Sequence, residues 1–224
     1  ASDPVYSDDV FSCLGYEGTG SAQTITNGVD LSGEGGLVWI KRYDGSQDNV
    51  LQNTASGTSK MLRSHGSGQE SSGSGRVSSF NSNGFTLGTD ADVNANNQDY
   101  VSWCFRECPG FFDIVTYTGT GSAQNVSHSL GSEPGAIFIK KTSGSENWAV
   151  YHRSAGNASP GKLNGTNAFN TSANGHFNST TPTSSAFTVN TDATVNENGA
   201  TYVAYLFAHD DQSFGADQDE AIIK

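Results

Sequence analysis

Apolar residues come in short runs parted by clusters of Gly, Asn and Ser, a rhythm that predicts many short strands joined by turns. GLVWIKR (Gly36 to Arg42) and GAIFIKK (Gly135 to Lys141) read as core strands that emerge into solvent at two cations. In DYVSWCFRE, Val101, Trp103 and Phe105 alternate with Tyr100, Ser102 and Cys104, and TYVAYLFAH repeats the pattern around Tyr202, Val203, Tyr205 and Phe207. Both faces of these two segments are apolar, which predicts central positions in a sheet. NWAVYHR alternates in the same way, with Trp148, Val150 and His152 against Ala149, Tyr151 and Arg153. HGSGQESSGSGRVSS and TSANGHFNSTTPTSS hold too few apolar residues to order themselves and read as long surface loops. A helical stripe is not visible in any window of a dozen residues.

The pattern occurs twice. YEGTGSAQTI (Tyr16 to Ile25) returns 101 residues later as YTGTGSAQNV, and GLVWIKR returns as GAIFIKK after 99. FTLGTDADVNANNQDYVSWCF (Phe85 to Phe105) returns after 102 residues as FTVNTDATVNENGATYVAYLF, with 11 of 21 positions identical. Similar blocks in the same order at nearly constant offset imply duplication. Pro109 and Gly110 mark the join, since proline cannot donate to a ladder. The expected organisation is a polar segment at 1–9, one repeat at 10–108, a second at 109–210, and an acidic segment at 211–224 that closes on the strand-like stub AIIK. That stub suggests a piece of a longer array. All-β architecture follows, as two tandem antiparallel β-sandwiches, with YEGTGSAQTI read as the hairpin that opens each copy.

Charge narrows the partners. With 23 acidic and 11 basic side chains the formal charge is −12, which repels phosphate backbones and anionic lipid surfaces, so no nucleic-acid partner is expected. No run of 18 apolar residues is present and the start lacks the basic and apolar regions of a signal peptide, so no membrane insertion is expected.

Candidate chemistry is sparse. Asp90, Asp92 and Asn94 alternate as oxygen ligands do in a calcium loop, but the glycine and glutamate of an EF-hand are missing, and Asx turns are the favoured reading; calcium is the one candidate cofactor. The five histidines do not align between repeats, and no GxSxG or Cys/His pair accompanies them. Glu34 and Glu133 recur, each in a turn before a strand, without the paired carboxylate that glycoside hydrolysis needs. No enzyme is expected, and a polysaccharide-acting enzyme ranks last among the readings. Rings that could stack on a sugar are better candidates: Trp39 and Trp103 align with Phe138 and Tyr205, as core positions would, which leaves Trp148, Tyr151 and Tyr43 as the candidate ligand-binding residues. Cys13 and Cys104, in strands that could be neighbours, are the candidate disulfide, against the blander reading of buried reduced thiols.

The repeated motifs, from DDVFS and YEGTGSAQTITNGVDLSGEGGLVWIK through VSSFNSNGFTLGTDADVN to FFDIVTYTGTGSAQNVSHSLGSEPGAIFIKK and TYVAYLFAHDD, carry a resemblance. Nearly the whole chain resembles a tandem module of unannotated function from virion structural and tail-associated proteins of marine tailed phages, including cyanophages. The resemblance implies a lectin-like, concanavalin-like or jelly-roll-like sandwich and location at the virion surface. Its implied partners are other virion subunits, with homo-oligomers, and host-surface glycans as a candidate ligand. It supplies no catalytic residues. Small residues such as Thr stand in the family where this chain has Cys13 and Cys104, so it gives a disulfide no general role. The leading expectation is a virion structural protein of a tail, fibre or capsid-surface appendage. The alternative is a purely architectural subunit of a filament, joined through edge or terminal strands such as FSCL and AIIK.

Overall fold

The computed structural model describes residues 4–170, 176–209 and 213–222. They are mostly β and divide into two compact units. The first contains residues up to Ser64, Ser71–Glu107 and Phe214–Ile222; the second contains His65–Glu70 and Cys108–Ser213. The acidic C-terminal segment therefore returns to the first unit, where Gly215 N–H donates to Val5 O (2.8 Å) and the Glu220 carboxylate accepts from Ser7 N–H (2.9 Å).

In the first unit a one-turn helix α1 (Ser7–Val10) leads into β1 (Phe11–Glu17), followed by β2 (Gln23–Ile25), β3 (Gly36–Arg42) and β4 (Val50–Asn53). Next come β5 (Lys60–Met61), β6 (Ser71–Ser72), β7 (Val77–Asn81), β8 (Gly84–Leu87), the one-turn helix α2 (Ala91–Asn94) and β9 (Asp99–Arg106). The larger sheet has the order β1-β9-β3-β4, a smaller one β2-β8-β7, and β5 pairs with β6. One apolar cluster draws Val38, Ile40, Tyr100 and Cys104 from the larger sheet and Ile25, Phe85 and Leu87 from the smaller.

The second unit repeats the plan with β10 (Phe112–Thr118), β11 (Gln124–Ser127), β12 (Pro134–Lys141), β13 (Ala149–His152), β14 (Ala186–Val189), the one-turn helix α3 (Ala193–Asn196) and β15 (Thr201–Ala208). Its sheets are β10-β15-β12-β13 and β11-β14, and its cluster includes Ile137, Ile139, Ala204 and Leu206 with Val126, Phe187 and Val189. Strands β9 and β15, apolar on both faces in the sequence, hold the same inner place in their sheets. Register agrees as well: Trp39 stands opposite Trp103 in the first unit and Phe138 opposite Tyr205 in the second.

Two sequence expectations change. YEGTGSAQTI is not a hairpin, because β1 pairs with β9 while β2 pairs with β8 in the other sheet; the glycine-rich turn carries the chain from one sheet to the next. GTDADVN is more than an Asx turn: Asp90 caps α2 by accepting from Asp92 N–H (2.9 Å), and Asp192 does the same for α3 through Thr194 N–H (2.8 Å).

These two features are halves of one device. The side chain of Asn94, fully buried, points from the end of α2 at the β1–β2 turn. Its Oδ1 accepts from Thr19 N–H (2.9 Å) and from Gln23 Nε2 (2.8 Å), and its Nδ2 donates to Ser21 O (2.7 Å) and Gly88 O (2.6 Å). Asn196 repeats every bond, with Thr120 N–H (2.8 Å), Gln124 Nε2 (2.8 Å), Ser122 O (2.7 Å) and Asn190 O (2.6 Å). A primary amide has two donors and two acceptor sites, and here all four are used. Tyr16 and Tyr117 brace the same place by donating to Val93 O and Val195 O (2.7 Å each). Close approach explains the glycines: a Cβ on Gly18 would sit 2.1 Å from Ala95 O, and one on Gly119 2.2 Å from Glu197 O.

Truncating this amide takes the partner from two carbonyls and a backbone N–H. Asn94→Ala and Asn196→Ala are each expected to cost about 3 kcal/mol of unfolding free energy in chemical denaturation, while exposed Asn96→Ala changes it by less than about 0.5 kcal/mol.

Candidate functional site

Of the three candidate sugar-stacking rings, two are core residues. Trp148 is fully buried, its ring centroid 6.1 Å from that of Tyr205, and its backbone N–H donates to Asn164 Oδ1 (3.0 Å). Tyr151 is 4 % exposed and packs edge-on against Phe177 (5.6 Å) in the inner cluster. A sugar cannot stack on either face, which corrects the expectation for both. Tyr43, 62 % exposed, does present its ring. Burial misled the sequence reading because Tyr151 occupies the register position of Gln52: Val38 faces Gln52 and Ile137 faces Tyr151. Gln52 is also buried, bonded through Oε1 to Val77 N–H (2.7 Å) and through Nε2 to Thr58 O (2.9 Å), so a polar clasp in one repeat is replaced by an aromatic contact in the other.

Asp90, Asp92 and Asn94 do not converge on a vacant centre. Asp90 is the helix cap, Asn94 has its amide oxygen occupied, and Asp92 faces two guanidinium groups, Arg76 at 2.7 Å and Arg63 at 3.2 Å. A calcium ion would have to displace both arginines, so the geometry speaks against the calcium reading. Among the described residues no group of three or more His, Cys, Asp or Glu side chains could hold a metal ion.

The proposed Cys13–Cys104 bridge is not formed, and all three cysteines carry thiols. Cys13 stands opposite Trp103 and Ser12 opposite Cys104, so the pleat turns the two sulfurs to opposite faces of one sheet. Cys104 lies in the core and accepts from Asn27 Nδ2 (3.0 Å); burial pushes its thiol up to about 12. Cys13 is exposed. Thiol titration of the folded protein is therefore expected to label Cys13 quickly and Cys104 only after unfolding, with no mass change on reduction.

Glu34 and Glu133 are exposed. Glu133 lines a hollow of about 220 Å³ beside the end of β13, together with Tyr151, Arg153, Asn157 and Thr181. No second carboxylate lines it. Burial raises the Tyr151 hydroxyl above its ordinary value and the nearby Arg153 opposes the rise.

Lys140 corrects the expectation that GAIFIKK emerges into solvent at its two cations. Its side chain is fully buried, and Nζ donates to Lys141 O (3.0 Å) and Ser67 O (3.2 Å). Its counterpart Lys41 folds back the same way onto Arg42 O and Gln47 O (2.8 Å for the latter). Burial holds the Lys140 ammonium down at about 8, against the attraction of Glu146. The unfolded chain then binds more protons than the folded one between pH about 8 and about 10, so stability rises with pH across that window. Above about pH 10 the half-buried Tyr16 and Tyr117, both held above the ordinary phenol range by desolvation, act in the opposite direction. Lys140→Met is expected to flatten the rise between pH 8 and 10 in urea unfolding.

The geometry defines a mostly β protein made from one unit built twice, with its densest polar organisation inside each unit. The chain belongs to a family described as a domain of unknown function, DUF7483, whose model matches residues 6–215 and so spans both repeats. No curated protein matches it.

Proposed function

We propose that the chain is a structural module of a phage virion, part of a tail, fibre or capsid-surface appendage, in which two β-sandwich repeats serve as building blocks beside other virion subunits. The observation that carries this reading is the asparagine clasp, built twice with the same partners. Duplication has kept the parts that make each unit rigid, whereas the ring candidates for ligand stacking differ between repeats or lie in the cores. The motif resemblance to tandem modules of marine phage virion proteins supports the phage setting.

The acidic surface suits a module displayed in many copies, since net charge far from zero opposes non-specific association. Assembly in this reading proceeds through sheet edges and is homo-oligomeric. Strand β1, which begins with FSCL, and strand β10 are both the first strands of their sheets. AIIK lies partly outside the described residues, and Ala221 and Ile222 are not in a strand.

Electron microscopy of the native particle, with antibody or tag labelling of this chain, is expected to place it at regular, repeated positions on a tail or capsid surface. A purified chain that remains monomeric by light scattering at all concentrations, and label absent from every particle, would overturn the reading.

A further inference from the structure

At one place the two repeats differ in charge and in openness. In the first unit, Thr54 N–H donates to Gly36 O (3.0 Å), and in the second Arg153 N–H donates to Gly135 O (2.9 Å), so Arg153 takes the place of Thr54. Register sets His152 where Asn53 stands, opposite Ala136 and Leu37 respectively, and sets Phe207 where Phe105 stands. Two residues beyond those phenylalanines, Glu107 of the first unit corresponds to His209 of the second.

The first unit closes this place. Thr54 Oγ1 accepts from Gly36 N–H (2.9 Å) and lies 3.5 Å from Glu107 Oε1, whose side chain also crowds Gly35. The second unit opens it into a hollow of about 120 Å³ lined by Gly135, His152, Arg153, Ser154, Phe207 and His209. Liquid water occupies about 30 Å³ per molecule, so the hollow has room for a carboxylate or phosphate group. Ser154 N–H donates to His152 Nδ1 (3.3 Å), which leaves Nε2 as the hydrogen-bearing nitrogen of the neutral ring. An acid, an amide and a hydroxyl have thus been exchanged for two imidazoles and a guanidinium, in a chain whose net charge is −12.

Arg153 also lines the neighbouring hollow of about 220 Å³, where Glu133, Asn157 and Thr181 offer a carboxylate, an amide and a hydroxyl. Asn157 Nδ2 donates to Thr181 Oγ1 (3.0 Å). Exposed Phe169 packs edge-on to His152 (6.4 Å between centroids) and adds an apolar surface beside it.

We propose that the second repeat binds an acidic saccharide here. Its oxyanion, carboxylate or phosphate, enters the smaller hollow against Arg153, His152 and His209, and its hydroxyls meet Glu133, Asn157 and Thr181 in the larger one. The site goes beyond the architectural reading and stands if that reading fails.

Calorimetric titration of the full chain with glucuronate, inorganic phosphate and glucose tests it. Saturable binding of glucuronate or phosphate, with none of glucose, is expected. Binding of glucuronate alone would identify the oxyanion as a carboxylate, and binding of phosphate alone as a phosphate. Arg153→Gln should weaken binding roughly tenfold or more, the scale of one charge-assisted hydrogen bond, while exposed Lys60→Gln leaves it unchanged. His209→Glu, which restores the acid of the first repeat, should abolish binding and serves as the second variant should Arg153→Gln fail to fold. Absence of saturation by both anions, glucose binding as tightly as glucuronate, or equal effects of Arg153→Gln and Lys60→Gln would overturn the proposal.

Discussion

Each unit depends on a buried amide that must be fully satisfied. The turn after β1 and the loop before α2 meet at this side chain, and each brings backbone groups that the other does not pair. Asn94 and Asn196 resolve this by accepting two hydrogen bonds and donating two across the join. An apolar residue there would leave carbonyls unpaired, and a carboxylate would place negative charge against Ser21 O and Gly88 O. The surrounding features follow from the same demand: glycines where the turn touches the helix, Asp90 and Asp192 as caps that aim the helix, and tyrosine hydroxyls that take up the carbonyls of Ala91 and Ala193 (2.8 and 2.7 Å).

Strand positions and the duplication were readable in the sequence because both are periodic properties of neighbouring residues. GLVWI is a continuous apolar run and YVSWCF carries apolar residues toward both faces, as inner strands do, and the matched blocks name their own equivalents. What could not be read was pairing across long separations. The turn residues of YEGTGSAQTI look alike whether the chain doubles back within one sheet or crosses to another, and the answer lies some 60 to 90 residues away, in β8 and β9. The same gap explains Cys13 and Cys104. Their strands are indeed neighbours, but a register of one residue decides which face each sulfur takes.

Burial of aromatic residues failed for a related reason. Trp148 and Tyr151 lacked partners in the other repeat and so looked like additions made for a ligand, whereas register pairs Tyr151 with the buried clasp residue Gln52. The asparagine clasp had a visible trace: the run GTGSAQ that ends on Gln23 and Gln124 is identical between copies, and so are Val93-Asn94 and Val195-Asn196. The hollow at Arg153 left no such trace, because it is defined by difference between the repeats, and difference carries meaning only once the equivalent positions are known in space.

The bond between Gly215 N–H and Val5 O bears on descent. The family match begins at Tyr6 and ends at Gly215, at the residues flanking that contact, and the chain leaves the first unit at Glu107 only to return to it after building the second. A single repeat cut from this sequence would lose the returning tail that Val5 and Ser7 hold. The family model likewise spans the pair of repeats rather than either one.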